Sequence, residues 1–178
     1  MPRQRKKLLI VDGYNVLRSG SRYRDIAGPD YTDDTFNRAR ETLVNDVINF
    51  AGREWRAIIV FDGGRNQYST GEAETIGGVR IMFSPAGSSA DKVIEKLAHD
   101  ACERMIETLV VTSDATIQNT VFGDGVDRMS ANGFSREMAL AYVDAKLDET
   151  PKVAKKNTVA SRIDPETLKK LIALRDRK

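Results

Sequence analysis

The sequence predicts a three-layer α/β fold, in which a central, mainly parallel sheet of about five strands carries helices on both faces. Three apolar runs predict strands, because their hydrophobicity is continuous rather than alternating, as in strands that are buried on both faces. Segments with a helical spacing of apolar residues separate these runs. Such alternation of strands and helices favours right-handed crossovers and parallel pairing.

Five segments have the character of strands. The three continuous runs cover residues 7–12, 57–62 and 108–114, and two weaker candidates cover residues 79–83 and 125–129. In parallel sheets, binding sites form beyond the carboxyl ends of the strands. The residues that end these runs are therefore the first candidates for function.

Helical periodicity predicts four helices in the body of the chain and one near its C-terminus. They cover residues 33–52, 90–106, 115–122 and 135–147, and the last begins at Asp164. Thr32 and Ser89 are the predicted N-caps of the first two helices. Residues 148–163 are polar and lack periodicity. We therefore predict one folded domain over residues 7–147, followed by a basic linker and a C-terminal helix over residues 148–178.

The composition is that of a globular chain, with 40% hydrophobic and 30% charged residues. No apolar run approaches the roughly 20 residues that span a bilayer. The four apolar residues before Asp12 are too few for the core of a signal peptide. Cys102 is the single cysteine, which excludes an internal disulfide. These features predict a cytoplasmic protein.

The small net charge of +2 conceals an asymmetry along the chain. Residues 1–7 sum to +4 and residues 151–178 to +6, whereas residues 8–150 sum to −8. An acidic body with basic ends suits a protein whose carboxylates hold cations and whose ends reach phosphates. Lysine-rich termini are also common as solubilising tails, so charge alone leaves both interpretations open.

Four aspartates are predicted to meet at one edge of the sheet. Asp12, Asp62 and Asp114 close the three apolar strands, and Asp91 lies in the first turn of the helix predicted to begin at residue 90. Parallel strands that are neighbours would bring all four side chains to the same edge. Like charges a few ångströms apart repel by several kcal/mol at an effective dielectric constant near roughly 20. A divalent cation is the expected compensation.

The expected cation is Mg²⁺ or Mn²⁺, because all-oxygen ligands favour these ions, and because a lone histidine, His99, and a lone cysteine make zinc a poor match. Such an ion suits phosphodiester hydrolysis, since it lowers the pKa of a bound water and neutralises charge on the phosphate. Each acid also has a structural alternative, because aspartate after a strand commonly caps a helix or forms a turn. That alternative is strongest for Asp62, which precedes Gly63 and Gly64.

Several neighbours of these acids are predicted to support them. Gly13 would permit a sharp exit from the first strand. Asn15 could hydrogen-bond a metal ligand or a water, and Thr112 and Ser113 could do the same beside Asp114. Simple hydrogen bonding within turns is the alternative for these three polar residues.

Motifs along most of the chain resemble those of one group of nucleases. They are LLIVDGYNV at residues 8–16, VFDG at 60–63, SADKVIEKL at 89–97, VTSD at 111–114, VFGDG at 121–125 and SRE at 135–137. In order and spacing, over roughly residues 7–147, they resemble the NYN domains of the YacP-like branch of PIN-like nucleases. The basic segment before residue 8 and the stretch after residue 150 carry no matching motif.

This resemblance implies a PIN-like, Rossmann-like fold and RNA cleavage that depends on Mg²⁺ or Mn²⁺. The metal ligands that it implies are Asp12, Asp91 and Asp114, with Asp62 accessory and with Asn15 and Ser113 in support. The YacP-like branch includes a ribosome-associated endonuclease that cuts translated mRNA. The implied partners are therefore single-stranded RNA and the ribosome.

Basic residues near the predicted edge are candidates for RNA binding. They are Arg18, Arg22, Arg24, Arg65 and Lys92. Tyr23 lies among them, and basic groups interleaved with tyrosines suit phosphates and unpaired bases. Residues 63–78 contain five glycines and predict a loop that moves over the substrate. Solvated loops without a substrate role are the alternative.

Two other functions are compatible with the sequence. One is a catalytically silent RNA- or ribosome-binding module of the same fold, against which the intact set of acids argues. The other is a phosphatase or phosphotransferase with an aspartyl nucleophile, but Tyr14 stands two residues after Asp12, where such an enzyme has a second aspartate. The sequence therefore predicts an endoribonuclease that hydrolyses phosphodiester bonds in single-stranded RNA.

Overall fold

Strands and helices alternate along the part of the chain that the structure, a computed structural model, describes: residues 6–30, 32–63, 72–120 and 125–149. The strands are β1 (Lys7–Asp12), β2 (Trp55–Phe61), β3 (Ala73–Ile76), β4 (Val79–Phe83), β5 (Thr108–Val111) and β6 (Val126–Met129). The helices are α1 (Gly13–Ser19), α2 (Ser21–Ala27), α3 (Asp33–Ala51), α4 (Ala90–Glu103), α5 (Ala115–Thr120) and α6 (Ala131–Glu149).

The strands form one sheet in the order β3-β4-β2-β1-β5-β6. All neighbouring pairs are parallel except β3 and β4, which form an antiparallel pair at one edge. The predicted α/β fold with a mainly parallel sheet is confirmed. The prediction of about five strands missed β3, which falls in the segment that was predicted to be a loop. All four side chains of β3 are exposed, so no buried face marks it in the sequence.

Strand β1 lies in the middle of the sheet, between β2 and β5. Its residues pair in parallel register with both neighbours, Val11 with Ile59 and with Val111, and Asp12 with Val60. The carboxyl ends of these three strands therefore lie side by side. This arrangement carries the residues that follow each strand to one edge of the sheet.

Helices cover both faces of the sheet, which explains the continuous hydrophobicity of β1. Leu9 and Val11 belong to a core cluster that includes residues of α1, α2, α3 and the first turns of α6. Leu8 and Ile10 belong to a second cluster, with residues of α4 and α5. Because successive side chains point to opposite faces, each residue from Leu8 to Val11 must be apolar.

The chain divides into two compact units, Met1–Tyr142 and Val143–Lys178, and the four predicted acids lie in the first. The predicted domain boundary after residue 147 stays a prediction, and the predicted C-terminal helix from Asp164 lies outside the described residues. Within the described ranges, no helix is long and apolar enough to cross a bilayer.

The predicted caps of α3 and α4 are confirmed. The Thr32 side chain accepts a hydrogen bond from the backbone N–H of Thr35, and the Ser89 side chain accepts one from Lys92. Helix α6 begins at Ala131, four residues earlier than predicted. Helices α1 and α2 have seven residues each, and neither was predicted.

Helix α4 ends three residues earlier than predicted, because the chain turns out of the helix at Met105. The backbone N–H of Met105 donates to the carbonyl of Cys102 and that of Ile106 donates to the carbonyl of Ala101. These two bonds form a Schellman motif, which requires a left-handed residue where glycine is preferred. Met105 has a φ of 53° and is 89% exposed.

Replacing Met105 with glycine should stabilise the protein by about 0.5–1 kcal/mol, because glycine adopts the left-handed conformation without steric cost and little burial is lost. Urea unfolding of the full chain measures the change. Met105→Ala is the control, since alanine removes the exposed side chain but keeps the strain. If the glycine variant is no more stable than the alanine variant, backbone strain at this turn is negligible.

Candidate active site

A cleft of about 530 Å³ opens at the carboxyl ends of β1, β2 and β5. All four predicted aspartates line it. Among the residues that the structure describes, the lining consists of Asp12, Tyr14, Asn15, Arg18, Ser19, Phe36, Asp62, Ala90, Asp91 and Asp114. The structure therefore brings together four acids that are far apart in the sequence, as the order of the strands requires.

Asp12 ends β1 and is the most buried of the four acids, with 6% of its surface exposed. Its Oδ2 atom accepts a hydrogen bond of 3.0 Å from Oγ1 of Thr112, and its Oδ1 atom accepts one of 3.3 Å from the backbone N–H of Asn15. The second bond makes Asp12 the N-cap of α1. The structural role that aspartate commonly has after a strand is thus present, and the same carboxylate also faces the cleft.

Burial and neighbouring negative charges disfavour the ionisation of two acids of the cleft, Asp12 and Asp91. Burial first, and then the charges of Asp91 and Asp114, raise the pKa of Asp12 to about 6, against the hydrogen bonds from Thr112 and Asn15. Burial also raises the pKa of Asp91, followed by the charge of Asp114 and smaller effects of other nearby carboxylates. The predicted crowding of negative charge is therefore present in the folded chain.

Thr112 joins two of the acids. Its Oγ1 atom donates to Asp12 and accepts a hydrogen bond of 3.1 Å from the backbone N–H of Asp114. Thr112 is fully buried, so its single rotatable hydroxyl is committed to these two contacts. Asp114 also accepts a hydrogen bond of 2.7 Å from the backbone N–H of Thr116, in the first turn of α5. Thr112 thereby fixes the spacing between β1 and the loop after β5.

Asn15 and Ser113 hold the loops of the cleft together. The side-chain oxygen of Asn15 accepts a hydrogen bond of 2.7 Å from the backbone N–H of Ser113. The Ser113 hydroxyl accepts one of 3.0 Å from the backbone N–H of Ala131, at the start of α6. These contacts join α1, the loop after β5 and α6. Both side chains were predicted to orient a metal ligand or water, and the structure shows them bonded to backbone.

Asp62 has a partner that the sequence did not indicate. It is an exposed residue that follows β2, and its Oδ1 atom accepts a hydrogen bond of 3.1 Å from the hydroxyl of Ser84. Ser84 is fully buried and also accepts a hydrogen bond of 2.9 Å from the backbone N–H of Gly63. Its position directly after β4, a fourth strand with the same direction, is the signal that could have identified it.

Gly13 is required by close packing and not, as predicted, by a sharp exit from the strand. Its φ is not in the left-handed region. A Cβ atom at this position would instead lie 2.3 Å from the ring of Phe61, at the end of β2. Because Gly13 lets that ring approach, Phe61 packs edge-on against Tyr14 with 5.0 Å between ring centroids. Phe61 thereby positions a ring of the cleft lining.

The predicted RNA-binding residues separate into different locations. Arg18 lines the cleft, whereas Arg22 does not. The Arg22 guanidinium binds Asp46 on α3 with 2.9 Å between Nε and Oδ2, and it is only 20% exposed. The phenol of Tyr23 is fully buried and donates to the same carboxylate, so this candidate for substrate contact has no ring surface exposed to a base.

Two further basic candidates, Arg24 and Lys92, do not line the cleft. Arg24 is exposed on α2, and Lys92 is exposed on α4 next to Asp91. Arg65 lies outside the described residues. Arg18 is therefore the one predicted basic contact that the described part of the chain brings to the acids.

The atoms of the four aspartates that could bind a metal ion are carboxylate oxygens, which suit Mg²⁺ or Mn²⁺. Within the ranges that the structure describes, however, no group of three or more His, Cys, Asp or Glu residues is arranged so that it could hold a metal ion. Mg²⁺ usually keeps several waters and binds proteins through one or two carboxylates. The lining therefore suits an ion that keeps several of its waters better than an ion that is coordinated by protein ligands alone. The cofactor stays a prediction.

Known proteins resemble this chain in sequence and in fold. One is the uncharacterized protein YacP of Bacillus subtilis (strain 168), which is 30% identical over 132 residues, 74% of each chain. Another is a mutant form of Rae1 (YacP) from Bacillus subtilis, whose crystal structure has a TM-score of 0.61 and 27% identity and covers 83% of this chain and 87% of its own. A further crystal structure of Rae1 (YacP) has a TM-score of 0.59 and 25% identity, over 96% and 95% of the two chains.

The family model of the YacP-like NYN domain matches residues 9–176. This match extends past residue 147, where the motifs read from the sequence end. The resemblance predicted from those motifs is confirmed, and it indicates a nuclease-like, RNA-related function. The chain belongs to the YacP-like NYN domain family.

Proposed function

We propose that this chain is an endoribonuclease that depends on Mg²⁺ or Mn²⁺ and hydrolyses phosphodiester bonds in single-stranded RNA. Family membership supports the nuclease-like, RNA-related part. The observation that supports the metal-dependent part is the gathering of four aspartates in one cleft, in which the pKa of Asp12 is raised to about 6. Perturbed carboxylates gathered in one cleft mark candidate catalytic sites.

The proposed ligands are Asp12, Asp91 and Asp114, with Asp62 accessory. When bound, a divalent cation would neutralise charge on the scissile phosphate and activate a water as the nucleophile. The carboxylates would supply the negative charge that attracts the ion. The exposed guanidinium of Arg18 would contact a substrate phosphate at the same cleft.

The hydrogen bonds of the site keep the carboxylates in position. Thr112 holds Asp12 by its side chain and Asp114 by its backbone, so these two acids keep a fixed separation. Ser84, which directly follows β4, holds Asp62 by donating a hydrogen bond to its side chain. Fixed ligands are what metal-assisted hydrolysis needs, because a loose carboxylate would have to be ordered during the reaction.

Binding to the ribosome is a further part of the proposal. The support for it comes from the sequence, in which residues 1–7 and 151–178 together carry thirteen Lys or Arg residues and three Asp or Glu residues. Basic ends contact RNA phosphates without regard to sequence. Cosedimentation of the chain with ribosomes at rising salt tests this part alone.

Replacing Asp12, Asp91 or Asp114 with asparagine should lower cleavage of single-stranded RNA by about 100-fold or more, because asparagine keeps the shape but loses the charge that holds the cation. The measurement is the initial rate of cleavage of a labelled RNA with Mn²⁺ or Mg²⁺ and with EDTA. The wild-type chain should cleave only with the metal.

Asp100→Asn is the matched control for these variants. Asp100 lies on α4, like Asp91, has the same intermediate exposure and does not line the cleft. Its replacement should leave the rate within about twofold, the effect expected of a surface substitution. Wild-type cleavage in EDTA, or full activity in the Asp12 and Asp114 variants, would refute the proposed mechanism. Accumulation of an aspartyl-phosphate would favour the phosphatase instead.

The raised pKa of Asp12 predicts a stability effect in the absence of metal. The pKa rises from 3.8 to about 6 on folding, so the favourable contribution of protonated Asp12 is complete below pH 3.8 and is lost as the pH rises through 6. Above pH 6, the buried charge of Asp12 destabilises the folded chain, and Asp12→Asn removes that charge. At pH 7 in EDTA, the variant should be more stable than the wild type by about 1–3 kcal/mol, and less so at pH 4.

Thermal and urea unfolding at the two pH values measure this difference, with Asp100→Asn again as the control. Mn²⁺ should stabilise the wild type and should stabilise the Asp12 variant much less, because binding to the folded state alone raises stability. A variant that is less stable than the wild type in EDTA at pH 7 would show that the hydrogen bonds of Asp12 outweigh the cost of its charge.

A further inference from the structure

Part of the cleft lining is aromatic, and the proposed chemistry does not use it. Tyr14 and Phe36 line the cleft beside the acids, and both rings are only partly buried. Their centroids are 5.9 Å apart, with 32° between the ring planes. The Arg18 guanidinium lies 5.8 Å from the Tyr14 centroid and is exposed. We call Tyr14 and Phe36 the aromatic pair.

The aromatic pair is held in place by the core of the protein. Tyr14 packs against the fully buried Phe61, whose approach depends on Gly13. Phe36 lies in the first turn of α3 and packs against the same core cluster. Rings fixed in this way lose little conformational freedom when a ligand stacks on them. Packing in the core explains their buried sides but does not explain why both rings also line a polar cleft.

An acidic cleft poses a difficulty for a nuclease, because its carboxylates repel the phosphates of the RNA that it must bind. Stacking on a base needs no charge on the protein. A guanidinium next to a ring adds attraction for a phosphate and, through its flat face, for a base. The aromatic pair and Arg18 thus offer binding energy in the place where the acids remove it.

We propose that the aromatic pair forms a subsite for one unpaired base of the RNA, with Arg18 against a neighbouring phosphate. This inference rests on the proposed function and assigns its preference for single strands to specific residues. A base within a duplex already stacks on its neighbours and pairs with its partner, so it does not reach the rings. Because every base has a flat aromatic face, the subsite selects unpaired nucleotides with little sequence preference.

The test is the binding of a short, labelled, mixed-sequence RNA to the full chain. Fluorescence anisotropy in EDTA at low ionic strength measures the Kd. Phe36→Leu and Tyr14→Leu should each raise the Kd for the single strand by about tenfold, the size expected when one stacked base loses its platform. Tyr14→Phe, which keeps the ring, should bind like the wild type. The Kd for the same RNA as a duplex should change less than about twofold in every variant.

Phe50→Leu is the matched control. Phe50 lies on the same helix as Phe36, is also partly buried, and packs against Trp55 and Phe134 instead of lining the cleft. The Phe50→Leu variant should bind both the single strand and the duplex like the wild type. Removal of a single base from the RNA should reproduce the loss in the wild type at one position, and it should add little to the loss in Phe36→Leu.

The subsite is refuted if the leucine variants fold and bind the single strand like the wild type. It is also refuted if the variants lose affinity for the single strand and for the duplex equally. The binding measurement requires no cleavage, so the two proposals fail separately. If the wild-type chain cleaves RNA with Mn²⁺ and the leucine variants bind RNA normally, only the subsite proposal is refuted. Binding that depends on the aromatic pair, without any metal-dependent cleavage, removes only the nuclease proposal.

Discussion

The site depends on one electrostatic constraint, the burial of the Asp12 carboxylate among other carboxylates. Its exposed fraction is 6%, and the nearby charges of Asp91 and Asp114 add to the effect of burial in raising its pKa. A chain selected for stability alone would place an apolar or neutral side chain at the end of its central strand. The retained charge is understandable if a cation or a reaction requires it, since functional sites commonly sacrifice stability in this way.

The architecture makes this crowding unavoidable. A parallel sheet with helices on both faces sends every crossover back over the sheet, so consecutive strands end at the same edge. With β1 between β2 and β5, an acid after each strand must face the others. Thr112 then fixes two of these acids through one buried hydroxyl, and Gly13 allows Phe61 to support the aromatic side of the cleft. The same packing that completes the core therefore shapes the site.

Most of the fold could be predicted, because strands buried on both faces, such as β1, have a strong signal. The bounds of β4 were also predicted to the residue, although its signal was weaker. Strand β3 could not be predicted, since its side chains are all exposed, and α1 and α2 are too short to show a period. The four acids could be placed because their positions follow from strand order. Ser84, which directly follows β4, could have been found by the same argument. The pairing of Arg22 with Asp46 could not, because a contact between residues more than twenty positions apart depends on how the helices pack.

The most direct measurement of the central claim is anomalous diffraction from crystals of the full chain soaked in Mn²⁺. The account predicts a manganese peak in the cleft, bound by Asp12 and at least one of Asp91 and Asp114, with waters completing its coordination. Well-ordered crystals in which these carboxylates point apart, with no manganese between them, would contradict it.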